Sequence, residues 1–181
     1  MKPLILGIDL GFNSFGVCSF DGESVESFVL FPEKNAKKSQ TLVFIKEIFF
    51  TDIAKRDKLL NYILTSDLVL IEKPFNVKGF GIQLNELLGI VKYLCVHYQK
   101  PFVEVPQMTL KKFATTHGNA KKSEVVKQAL KEFGFDASTE DETDAFMLSL
   151  IGDVMLQGKK SIAYTKARAE SIVKLEIQNK C

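Results

Sequence analysis

No apolar run in this sequence approaches the roughly 20 residues a membrane span requires, and the opening MKPLILGIDL has too short an apolar stretch before its acid for a signal peptide. Both features lead to the expectation of a soluble, cytoplasmic protein with no membrane partner. Cysteine is scarce. Cys18, Cys95 and Cys181 are widely spaced and form no CxxC pair, as expected for a chain kept in a reducing compartment, and Cys18 and Cys95 read as small buried hydrophobes. There is no internal repeat and no low-complexity linker. The 181 residues, 46% hydrophobic and 25% charged, suffice for one sizeable core and are short for two.

The net charge of +2 conceals an uneven distribution. Between Gln107 and Lys131 stand Lys111, Lys112, Lys121, Lys122, Lys127 and Lys131 against a single acid, Glu124. This stretch is a candidate phosphate-binding face, with a solvated helix surface as the plainer explanation. The residues after Gly158, 159–181, form a basic and weakly amphipathic segment, expected as an appended helix or a loose tail behind a domain spanning 1–158.

The first thirty residues read as an antiparallel meander of three strands, Leu4 to Asp9, Phe15 to Phe20 and Ser24 to Phe31, with Asp21-Gly22 as a hairpin turn. Helical spacing follows from Ser39 to about Thr65, with a break near Thr51-Asp52, and then a buried strand from Leu68 to Glu72, closed by Lys73-Pro74. Further helices are expected over Gln83 to Tyr98, Pro106 to Thr115, Ser123 to Phe133 and Glu142 to Met155, and a short strand over Pro101 to Val105. The pattern is that of a mixed α/β domain.

Four carboxylates stand where apolar elements begin or stop. Asp9 ends the run from Leu4 to Ile8, Glu72 ends the run from Leu68 to Ile71, and Asp141 and Asp144 open a third apolar stretch. Strands of this composition are buried on both faces, and functional side chains collect at their ends. Asp141 and Asp144 are three apart and share one helix face. Plainer explanations exist: Asp-x-Gly opens turns, a glutamate can be the first exposed residue after a strand, and Thr139 to Glu142 resembles an N-terminal capping run. Capping accounts less well for Asp144, which lies on the apolar side beside Ala145. Acids gathered at one place are hard oxygen ligands suited to Mg²⁺ or Mn²⁺.

Ile5 to Gly11 (ILGIDLG), Ile71 to Phe75 (IEKPF), Gly118 to Val125 (GNAKKSEV) and Asp141 to Ala145 (DETDA) resemble, in that order, the motifs of the RuvC Holliday junction resolvases. The resemblance covers roughly residues 4 to 155. It implies an RNase H-like mixed sheet, a homodimer, and Mg²⁺-dependent cutting of four-way DNA junctions by paired nicks, with two ions per site and no nucleotide cofactor. The family's four catalytic acids correspond to Asp9, Glu72, Asp141 and Asp144. Lys111 and Lys122 match its phosphate-contacting basic residues, with Lys112 and Lys121 as neighbours, and Phe75 matches the aromatic that stacks near the junction centre, with a core plug after the Lys73-Pro74 break as the plainer explanation. Lys122 is also expected near the scissile phosphate. His117 either contacts phosphate or orients water, or is a loop residue without a role; His97 reads as structural.

The strand FNSFGVCSF carries phenylalanines where the family often has smaller or polar residues, the helical stretch after Phe31 is long, and the tail has no clear counterpart. These departures suggest a divergent, bacteriophage-encoded member. Gly-Ile-Asp-Leu-Gly also resembles the phosphate loop of sugar kinases and heat-shock ATPases, but 181 residues leave little room for their second lobe. The same acids and lysines would also suit an RNase H-like enzyme acting on RNA–DNA hybrids, or a junction-binding protein without activity.

Overall fold

Alternation along the first strand organises the molecule. In β1 (Ile5–Asp9) the side chain of Ile5 enters one hydrophobic cluster while Leu6 and Ile8 enter another, because successive strand residues point to opposite faces. The computed structural model describes residues 2–11, 14–30, 53–74 and 81–179. Two expectations fall outside these: Phe75 with its glycine-spaced loop, and the helical stretch preceding Ile53.

β1 pairs antiparallel with β2 (Phe15–Phe20), which pairs antiparallel with β3 (Val25–Leu30). The turn between them is closed by Asp21, whose Oδ1 accepts from the backbone N–H of Glu23 and Ser24 at 2.9 and 2.7 Å. Gly22 supplies the positive φ of 89° that the turn requires. On its other side β1 runs parallel to β4 (Leu68–Lys73), and β4 parallel to β5 (Phe102–Pro106). The sheet order is therefore β3-β2-β1-β4-β5. Every residue of β1 and β2 is buried, which matches their near-continuous apolar composition.

Helices cover both faces. Helices α1 (Ile53–Thr65) and α2 (Gly81–His97) pack against the even-numbered side of β1 through Leu59, Ile63, Leu87, Val91 and Cys95. On the opposite side lie α3 (Gln107–Thr115), α4 (Lys122–Phe133) and α5 (Glu140–Gln157), with Phe113, Val125, Leu148 and Ile151 in the core. Among the described residues no helix is long and apolar enough to cross a membrane. Cys18 and Cys95 are buried, and burial pushes both thiols up to about 12, so they act as inert packing groups.

Helix α5 lies against β1 and β2 more closely than side chains would allow. A Cβ on Gly7 would stand 2.0 Å from the Ala145 carbonyl oxygen, and one on Gly16 would stand 2.1 Å from that of Asp141. The two glycines thus admit the helix backbone directly onto the strands.

The basic segment after Gly158 is fastened to the domain. Helix α6 (Lys166–Ser171) is anchored by the buried Arg168, which pairs with Glu132, donates to the Phe113 carbonyl at 3.1 Å, and lies over the rings of Phe113 and Phe133. Farther on, Gln178 exchanges two backbone hydrogen bonds with Phe102, covering part of the β5 edge.

Candidate active site

The pleat places the strand-end acids together. Ile5, Gly7 and Asp9 share one face of β1, and Leu68, Leu70 and Glu72 the same face of β4; the parallel register pairs Ile5 with Leu68 and Gly7 with Leu70. Asp9 and Glu72 are therefore neighbours on the α5 side of the sheet. Gly7 receives Ala145, which brings the adjacent Asp144 down to them. Asp9, Glu72 and Asp144 are all buried, and their ligand oxygens lie within 4.8 Å of one another.

Asp141, one turn earlier on α5, stands at the rim and is partly exposed. It is not among the three clustered acids but joins them through Lys122. The Lys122 ammonium lies 2.8 Å from Asp141 Oδ1, 3.1 Å from Asp144 Oδ2 and 3.7 Å from Asp9 Oδ2. Capping of α5 falls to other residues. Thr139 Oγ1 accepts from the Glu142 N–H at 3.1 Å, and the Glu142 carboxylate accepts from the Thr139 and Ser138 N–H groups at 3.2 and 3.0 Å. With the cap complete, Asp141 is left for the lysine.

The electrostatics follow from crowding. Burial, the neighbouring Glu72 charge and a hydrogen bond with Glu72 hold the Asp9 carboxyl well above the usual carboxylate range. Burial raises Asp144 to about 6, although Lys122 pulls it down and Glu72 pushes it up. Burial alone would lower the Lys122 ammonium, but Asp9, Asp144 and Asp141 outweigh it and raise it above its ordinary value. Like charges 4 Å apart repel by about 4 kcal/mol at an effective dielectric of 20, so this cluster calls for a cation. The donor set is all carboxylate oxygen, from two strands and a helix, which fits a hard divalent ion; the lysine ammonium is its stand-in.

The remaining expected residues are more dispersed. Lys111 and Lys112 lie on α3, the first half-buried and the second exposed; His117 and Lys121 are exposed in the connection to α4. His97 stacks on Tyr93 at 5.7 Å and meets Tyr98 edge-on. Two features escaped sequence reasoning. Glu142 also accepts from Ser27 Oγ at 3.2 Å, which ties the start of α5 to β3; its place in a capping run gave no sign of this tertiary bond. Lys122 penetrates the acid cluster, for which a signal did exist: lysine at the first position of a helix opposes the macrodipole, so something else must hold it.

A β3-β2-β1-β4-β5 mixed sheet, with acids at the ends of β1 and β4 and on the helix crossing them, defines an RNase H-like domain with a carboxylate site suited to divalent cations. Comparison with known proteins narrows this. The chain is 26% identical over 162 residues to the crossover junction endodeoxyribonuclease RuvC of Synechococcus sp. (strain CC9311), covering 82% of this chain and 96% of that protein. The Thermus thermophilus RuvC structure shares the fold with a TM-score of 0.62 at 18% identity, over 86% of this chain and 96% of that one. The T. thermophilus RuvC in complex with Holliday junction substrate gives a TM-score of 0.64 at 15% identity, with the same coverage. No family model matches the chain. The chain is thus similar to RuvC proteins in sequence and shares their fold.

Proposed function

We propose that this protein is a structure-selective endonuclease that resolves Holliday junctions, and cuts other branched DNA, by phosphodiester hydrolysis. The observation that carries this reading is the convergence of Asp9, Glu72 and Asp144 within 4.8 Å beside a lysine-rich helix pair. The junction substrate is that of the Synechococcus relative by name and of the T. thermophilus complex.

Asp9, Glu72 and Asp144, with Asp141 at the rim, would hold two Mg²⁺ ions, for which Mn²⁺ could substitute. Bound there, the ions supply a water of lowered pKa and a counter-charge for the leaving 3′ oxygen. Lys122 stabilises charge developing on the phosphate. Lys111, Lys112, Lys121 and His117 hold the backbone of the arms, and Phe75 stacks at the junction centre. The nuclease unit spans 1–158, and the basic segment behind it adds Ala163 and Ile172 to the same core. It acts in the cytoplasm of a bacterium or of a phage-infected cell.

A homodimer suits two symmetric nicks. The apolar stretch from Leu84 to Leu94 on α2 suits either part of a dimer interface or core packing, and Leu87, Leu88 and Val91 are committed to the core. Tyr93 and Val96 remain 64% and 53% exposed and form the available apolar face. Light scattering should give twice the chain mass, and Tyr93→Asp should reduce it to that of a monomer.

The deciding experiment incubates the protein with labelled four-way, forked and linear duplexes and an RNA–DNA hybrid in Mg²⁺, Mn²⁺ or EDTA. Paired nicks in four-way junctions, dependent on the metal, are expected; equal cutting of every substrate would overturn junction selectivity.

The raised carboxyls predict a pH signature. An acid whose pKa is raised in the fold binds its proton more tightly there than in the unfolded chain, so its contribution is complete at low pH and is lost as pH rises. Metal-free protein should therefore lose melting temperature between about pH 4 and the value of about 6 reached by Asp144. Mg²⁺ should raise the melting temperature little at about pH 5 and more at about pH 8, and Asp144→Asn should flatten the metal-free profile. A Mg²⁺ effect equal at both ends would remove the acids as ligands.

Phosphate contacts release counterions. Junction affinity should fall steeply with salt, and the double change Lys111→Gln with Lys121→Gln should reduce the slope of log K against log salt by about 2. An unchanged slope would place the DNA elsewhere.

A further inference from the structure

Lys122 occupies an unfavourable position for a lysine. It is the first residue of α4, where the helix dipole repels cations, and its side chain is only 33% exposed. Three carboxylates from two elements, Asp9 on β1 with Asp141 and Asp144 on α5, compensate. Two of these, Asp9 and Asp144, also belong to the set whose oxygens converge for a metal. The ammonium and a divalent ion therefore draw on the same oxygens.

A hard cation binds carboxylate oxygen at about 2.0 to 2.6 Å. An ion on Asp9 and Asp144 would lie close to an ammonium 3.1 Å from Asp144 Oδ2, with a net repulsion between them. The lysine stem has four methylenes and can swing clear without moving the helix. On the outer side it would join Lys121, which is exposed at the cap of the same helix.

Resting on the reading of the cluster as a divalent-ion site, we propose that Lys122 is a resident counter-cation, exchanged for the metal and thereby released to a DNA phosphate. In the metal-free protein the lysine keeps the acids together. Metal loading moves its charge outward, so metal and DNA binding reinforce each other through one side chain. Linkage makes the effect reciprocal: DNA that captures the ammonium tightens the metal by the same factor.

The test measures Mn²⁺ binding by calorimetry, without DNA, for the native protein, Lys122→Met and Lys122→Gln. Both neutral variants should bind Mn²⁺ about tenfold more tightly, a coupling of ordinary size, and show a larger Mn²⁺-induced rise in melting temperature. A second measurement compares four-way junction affinity in Ca²⁺ and in EDTA. The native protein should gain at least about fivefold in Ca²⁺, while the variants gain less than about twofold. Mn²⁺ binding that is unchanged, weaker or absent in the neutral variants would overturn the proposal and make Lys122 an organiser of the site. So would a Ca²⁺ gain as large in the variants as in the native protein. If a variant does not fold without metal, it is refolded in Mn²⁺ and its affinity obtained by chelator competition. Native protein that binds Mn²⁺ but nicks no junction would remove the functional reading alone.

Discussion

Asp9→Asn should reduce junction nicking by about a thousandfold, since the loss of about 4 kcal/mol of transition-state stabilisation corresponds to three powers of ten. Asparagine keeps the shape and one carbonyl oxygen but not the charge. Asp9 is buried on β1, beside Glu72, with Lys122 3.7 Å away, so no other side chain can take its place from solvent. Junction affinity measured in EDTA should stay within about twofold, because the lysines proposed to contact phosphate lie on α3 and at the start of α4 and act through surface charge. Metal-free stability should move the other way. The Asp9 carboxyl is raised by burial and by Glu72, which marks its charge as unfavourable in the fold, and a neutral amide removes that repulsion. Loss of nicking together with a higher metal-free melting temperature is a combination that misfolding cannot produce. A fully active Asp9→Asn protein would remove the metal reading altogether.

How much of this was legible in the sequence differs from residue to residue. Asp9 and Glu72 could be placed because period-two alternation and apolar runs locate strand ends, and parallel pairing of two such strands puts their ends side by side. Asp144 could be preferred to Asp141 because a charge beside Ala145 on an apolar face has no capping purpose; the structure buries Asp144 and leaves Asp141 at the rim. The start of α5 was expected at Glu142 and lies at Glu140, since Thr139 caps the helix and Glu142 closes the capping box from inside it. Lys122 was expected near the scissile phosphate, and its place at the first position of α4 signals that other groups must hold it, but which acids it reaches depends on how α4 is set against α5. The docking of 159–179 was equally hidden. It rests on Arg168 meeting Glu132 and the Phe113 carbonyl, contacts between residues far apart in the chain.

The helix that carries Asp144 and Asp141 is held in place by what β1 lacks, and Gly7→Ala should show it. The added methyl would meet the Ala145 carbonyl oxygen at 2.0 Å and the Ser149 nitrogen at 2.9 Å, both backbone atoms of α5. No rotamer change relieves a clash with a helix backbone, so α5 must retreat from the sheet as a body. Overpacking of this kind costs about 3 kcal/mol, and for a chain of this size that lowers the melting temperature by about 6 to 12 °C. The consequence for function is separable from stability. Asp144 precedes Ala145 and would withdraw with it from Asp9 and Glu72, and a misplacement of about 1 Å in a reacting constellation costs about a hundredfold in rate. At a temperature where the variant is fully folded, nicking should be down by that factor and Mn²⁺ binding weakened, while DNA affinity in EDTA, which we assign to α3 and the start of α4, is little changed. Gly16→Ala, whose methyl would stand 2.1 Å from the Asp141 carbonyl oxygen, should lose less activity at a similar loss of stability, because it displaces the rim acid before the buried one. Equal activity in the folded Gly7→Ala protein would mean that the close approach of α5 serves packing alone, and that Asp144 reaches the cluster without it.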